Sequence, residues 1–124
     1  KEGDILKFLN KNDNEFVGFG EVYLSLVKNN EVKAWRKHRE MTCNLIVPHG
    51  NVRLVMIDDR TKDVGYQVVE LSRENYFRIT IPPGIWTGFK GLSINESVVL
   101  NFSNILHDPN EQITVPINNF DYKW

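Results

Sequence analysis

Short runs of aliphatic, β-branched and aromatic residues recur along the whole chain, each closed by turn-forming residues, and no apolar period of 3.6 persists over a dozen positions. Such a chain buries its apolar side chains as strands. The runs predict strands over Glu21–Lys28, Lys33–Lys37, Thr42–Val47, Arg53–Asp58, Gln67–Leu71, Phe77–Ile81, Thr87–Leu92 and Ser97–Ser103. Between them, segments such as Asn29-Asn30, Pro48-His49-Gly50-Asn51 and Pro82-Pro83-Gly84 supply turn chemistry. About eight strands at this spacing suit a jelly roll or another small closed barrel, which conceals most strand edges. At 124 residues the chain is too short for two ordinary cores, so one all-β domain over residues 1–124 is expected. Only Asp4–Asn10 reads as a brief helix, with Asp4 as its cap and Ile5, Phe8 and Leu9 on one face.

Charge narrows the partners. Fifteen Lys and Arg against sixteen Asp and Glu leave a formal net charge of -1, without the basic excess of a nucleic-acid binder. No apolar run approaches the roughly 20 residues that span a bilayer, and Lys1-Glu2-Gly3-Asp4 lacks the apolar stretch of a secretion signal. The single cysteine, Cys43, has no partner for an internal disulfide, which fits a reducing compartment, and the cytoplasm is expected. Cys43 itself reads as a small core residue, in alternation with Leu45 and Val47.

Within this nearly neutral chain Arg36-Lys37-His38-Arg39 forms a dense basic group that suits an anionic ligand. Strand alternation puts Arg36 and His38 on one face and Lys37 and Arg39 on the other. If the face carrying Trp35 points outward, Arg36 and His38 line a pocket. For an isolated charge run a solvated turn is the commoner outcome. The spacing from His38 to Gly50 and the later Pro82-Pro83-Gly84 turn match the scaffold positions of cupin barrels, which tips the reading toward the pocket. The metal-ligand positions of that scaffold would fall on Arg36, His38, Cys43 and Thr87. A guanidinium offers no lone pair to a cation, so neither a bound metal nor another cofactor is expected. Trp86, at the entry to a strand, serves equally well as a stacking surface for a base or sugar or as core, whereas Phe77 and Phe89 read as core. His49 and His107 sit in turn-rich segments and read as loop residues.

Four blocks carry a resemblance: Gly20–Tyr23 to Trp35–Thr42, Val55–Arg60, Ile81–Phe89 and Asp121–Trp124. In this order they resemble a short branch of the dTDP-4-dehydrorhamnose 3,5-epimerase family. The resemblance implies a cupin-type jelly-roll barrel, a homodimer, and a nucleotide-linked 4-keto-6-deoxy sugar as substrate in polysaccharide biosynthesis. It implies proton abstraction beside the carbonyl, with His38 at the position of the family's base. The family's acid tyrosine has no counterpart in Leu100–Pro109, and the aspartate that orients its histidine has none within the 124 residues. Tyr23 is the candidate replacement acid, and Arg36, Lys37 and Trp86 are the candidate substrate-binding residues. A sugar-nucleotide epimerase or isomerase is therefore expected, against a non-catalytic sugar-nucleotide or carbohydrate-binding barrel and a structural homodimer module without a ligand.

Overall fold

The structure is a computed structural model that describes residues 3–124. All eight expected strands form, and the described residues add a ninth: β1 Glu21–Val27, β2 Val32–His38, β3 Cys43–His49, β4 Asn51–Asp58, β5 Gly65–Ser72, β6 Ile79–Ile81, β7 Trp86–Gly91, β8 Ser97–Ser103 and β9 Gln112–Thr114. They build a four-stranded sheet in the order β1-β8-β3-β6 and a five-stranded sheet in the order β5-β4-β7-β2-β9. Every neighbouring strand pair is antiparallel. The two sheets pack face to face as a jelly roll, the all-β architecture expected.

The space between the sheets is filled by alternate residues. Cys43, Leu45 and Val47 of β3 and Val99 of β8 face Val52 and Leu54 of β4, with Val27, Met41, Leu71 and Ile81 completing the buried cluster. A tight corner lets the chain cross from one sheet to the other between β3 and β4. Gly50 adopts φ +86 there, and a side chain would meet the Ser97 side chain at 2.3 Å. Only glycine fits such a corner.

A second cluster lies on the outer face of the five-stranded sheet, where Trp35, Val55, Ile57 and Trp86 are buried beneath Phe120, Tyr122 and Trp124 of the C-terminal segment. The Trp35 face of β2 thus points away from the barrel interior and is covered by the chain's own end. Gly88 makes room for it, since a Cβ there would lie 2.7 Å from the Ala34 side chain and 2.8 Å from the Trp124 ring. Rings of Trp35 and Trp124 pack 5.2 Å apart, and Phe120 meets Trp35 edge-on at 5.4 Å.

The opening segment departs from expectation: Asp4–Asn10 is not helical. Tertiary contacts take the groups a helix would have used. The carbonyl of Lys7 accepts from Tyr76 Oη and that of Phe8 from Arg78 Nη1, while Asn10 closes a local turn by accepting from the Asn12 N–H. Phe8, Phe16 and Phe19 surround Phe102 on the outer face of the four-stranded sheet. The segment folds back on the chain's own barrel. Arg78 fastens it through ion pairs to Asp13 and Glu15.

Candidate active site

Between the open edges of β1 and of β2 with β9 the sandwich encloses a cavity of about 480 Å³. That volume is within the range of small-molecule sites. Its wall is divided by sheet: Tyr23, Cys43, Val99 and Asn101 come from the four-stranded side, and Lys33, Arg36, His38, Thr87 and Phe89 from the five-stranded side.

His38 ends β2 and is fixed from three directions. Its carbonyl accepts from the Gly84 N–H at 2.8 Å, which ties the Pro82-Pro83-Gly84 turn to it. Its backbone pairs with Gln112 in β9, and its Nδ1 contacts a carboxylate oxygen of Glu111, the residue just before that strand. Glu111 is 5% exposed, and its second oxygen accepts from the N–H groups of Glu40 and Met41 at 3.2 Å each. Burial pushes this carboxyl toward the neutral form, but the bond to His38 and the two backbone donors outweigh it and hold its pKa below the ordinary value. Glu111 therefore stays ionised and orients the imidazole, with Nδ1–H toward the carboxylate and Nε2 left for the cavity. Glu111 reaches His38 from a segment 73 residues further along the chain.

Across the cavity stands Tyr23 of β1. Its pKa is raised by burial, with the Asn101 amide pulling the other way by donating to Oη at 2.8 Å. Tyr23 is a protonated phenol at neutral pH whose oxygen already accepts one bond, so its own O–H is free to point inward. Cys43 lies deeper, its thiol pushed up to about 11 by burial, which makes it an inert protonated group rather than a nucleophile.

The electrostatics of the wall favour an anion. Arg36 and Lys33 both line the cavity, no carboxylate does, and the Arg36 guanidinium forms no ion pair among the described residues. Lys33 had gone unnoticed in the sequence; its Nζ reaches the Leu26 carbonyl at 2.9 Å from the cavity rim. Lys37 and Trp86, by contrast, stand on the other face of the five-stranded sheet. Lys37 Nζ sits 4.5 Å over the Trp86 ring, and Trp86 is 5% exposed with its Nε1 donating to Asp59. Neither lines the cavity, so neither is brought to the ligand site. His49 and His107 are exposed and lie outside it as well. Among the described residues no three His, Cys, Asp or Glu side chains converge as a metal site would require.

Two sheets closed over a cavity that takes a carboxylate-held histidine from one side and a phenol from the other define a small jelly-roll barrel of the cupin class. Comparison with known proteins gives the relationship more narrowly. The chain belongs to the family described as FdtA: WxcM-like, C-terminal, whose model matches residues 3–122. It is 34% identical to the dTDP sugar isomerase of Desulfovibrio desulfuricans G20, with a TM-score of 0.88 over 93% of this chain and 76% of that one. A dTDP-4-dehydrorhamnose 3,5-epimerase from Sulfolobus tokodaii superposes with a TM-score of 0.71 at 22% identity, over 85% of this chain and 62% of that one. At that identity the likeness speaks to the fold, and it agrees with the resemblance seen in the sequence. Among curated proteins, the probable low-salt glycan biosynthesis epimerase Agl13 of Haloferax volcanii is 27% identical over 90 residues, 69% of this chain and 58% of that protein's length.

Proposed function

We propose that this chain is an epimerase or isomerase of nucleotide-linked 4-keto-6-deoxy sugars, with His38 as the base and Tyr23 as the acid. The chemistry asks for little else. A carbonyl at C4 acidifies the C–H bonds at C3 and C5, and a base that removes the C3 proton leaves an enediolate. Protonation of C3 from the opposite face gives the epimer; protonation at C4, with loss of the C3 hydroxyl proton, moves the carbonyl to C3. The single observation that carries this reading is that His38 and Tyr23 reach one cavity from opposite sheets, so that a ring bound between them meets a base on one face and an acid on the other. Arg36, with Lys33 beside it, suits the diphosphate. The relatives support the same class, being a dTDP sugar isomerase and a probable glycan biosynthesis epimerase by name.

A homodimer and a cytoplasmic setting belong to this proposal. The first is supported by the exposed apolar row Val22, Leu24 and Leu26 on the edge strand β1, and the second by the buried, unpaired thiol of Cys43.

The test is solvent exchange. With dTDP-linked 4-keto-6-deoxyglucose in D2O, proton NMR should show deuterium entering at C3 or C5. His38→Asn should slow that uptake about a hundredfold or more while the nucleotide still binds. Binding without any uptake by the wild type would leave a non-catalytic sugar-nucleotide barrel, and no binding would remove both readings.

A further inference from the structure

Asn101 stands at the centre of β8, paired with Tyr23 of β1 on one side and Leu45 of β3 on the other. It is 6% exposed and faces the cavity. The other asparagines anchored in this sheet have their buried groups used within the fold. Asn44 donates to the Glu15 carbonyl and accepts from Thr80 Oγ1, and Asn104 Oδ1 accepts from the Thr42 N–H. Asn101 differs, since its Nδ2 donates to Tyr23 Oη while its Oδ1 has no partner. Four buried side-chain atoms among the described residues lack a partner, on Asn51, Arg78, Asn101 and Trp124, and of these residues only Asn101 belongs to the cavity wall.

From this geometry we infer that Asn101 is the positioning residue for the Tyr23 acid: its amide N–H fills one lone pair of Oη and turns the phenolic hydrogen toward the bound sugar. The inference rests on the reading of His38 and Tyr23 as base and acid and adds the group that aims the acid. Without the amide donor the phenol rotates freely, and its hydrogen is presented to the enediolate only part of the time. Removal of the substrate proton by His38 is on the opposite sheet and does not pass through Asn101. The two half-reactions should therefore separate.

The experiment measures both halves at once, by proton NMR in D2O on full-length protein with dTDP-linked 4-keto-6-deoxyglucose. One rate is the loss of the C3 and C5 proton signals from the substrate, where His38 returns a deuteron to the face it emptied; the other is the appearance of product. Asn101→Leu, close in volume, should lower product formation about tenfold or more relative to exchange, the size of effect expected when an acid is misplaced. Tyr23→Phe should give the same split, and the double variant should be no worse than either single one, because the two residues act as a unit. Should Asn101→Leu fail to fold, Asn101→Ala removes the donor without adding bulk and carries the same expectation. Exchange and product falling together in a folded Asn101 variant would overturn the inference and make the residue structural. An unchanged ratio would overturn it too. A wild type that takes up no deuterium would instead remove the assignment of His38 and Tyr23, and the role of Asn101 with it.

Discussion

Replacing Glu111 by Gln tests whether this carboxylate sets the state of His38, and the geometry dictates the outcome. One carboxylate oxygen accepts from the N–H groups of Glu40 and Met41, and the other meets His38 Nδ1. A glutamine has one oxygen, and two backbone donors compete for it against one imidazole. Its amide oxygen should therefore stay on the backbone pair and its NH2 should turn to His38, which forces Nδ1 to become the acceptor and places the proton on Nε2. A histidine already protonated on the cavity side cannot act as a base. Tautomer reversal of this kind in a histidine–carboxylate pair costs on the order of 10²–10⁴ in rate. The stability cost is separate: two bonds to a charged acceptor become bonds to a neutral one, at about 1 kcal/mol each. For a domain of this size that is roughly 3–5 °C per kcal/mol, so a melting temperature lower by about 5–10 °C. Thermal melts and deuterium uptake measured on one preparation would give both numbers. An uptake rate within about threefold of the wild type, at any stability, would show that the carboxylate does not set the tautomer and would refute the reasoning.

Cys43 should resist alkylation in the folded protein and react only on unfolding, since its thiol is both buried and held protonated. Its raised pKa also fixes a pH dependence. Between the ordinary 9 and the folded value of about 11 the unfolded chain loses a thiol proton that the folded chain keeps, so stability should fall with pH across that window, by at most about 3 kcal/mol, and Cys43→Ala should flatten the fall in denaturant titrations. A slope unchanged by that substitution would contradict the burial argument. Leu24→Glu places a charge in the middle of the exposed apolar row on β1 and should convert a dimer to a monomer at micromolar concentration by light scattering, with the fold intact. A wild type that is monomeric under the same conditions would remove the proposed interface.

The strands were legible because period-two alternation and turn chemistry are local properties, and eight of them were foreseen. β9 was not, since Gln112-Ile113-Thr114 is a strand only because the chain returns beside Arg36, Lys37 and His38. The opening segment was misread for a related reason: its apolar spacing suits a helix, but Phe8 gains more by packing on Phe102 while Tyr76 and Arg78 claim its neighbours' carbonyls. Which face of a strand is buried was harder to read than where the strand lies. In β8 the residues Val98, Leu100 and Phe102 look like the inward face, yet Ser97, Val99, Asn101 and Ser103 are the buried ones. The inversion has a cause on each side of the sheet. Inward, Ser97 and Ser103 bond to the backbone of Asn51, Glu21 and Ile105, and Asn101 lines the cavity; outward, the apolar face is partly covered by Phe8, Phe16 and Phe19, while the neighbouring row on β1 stays open. His38 could be found from its spacing to a turn that any chain of this architecture needs. Glu111 could not, because it lies 73 residues away in a short turn after Asp108-Pro109, where a carboxylate is usually solvated. Its one signal lies just downstream in the chain, where Ile113 and Val115 alternate as a strand would. A strand that short persists only against a neighbour, which brings the residue just before it to the end of that neighbour. Two residues that depart from the local pattern meet at this cavity, Asn101 in its wall and Glu111 behind it through His38.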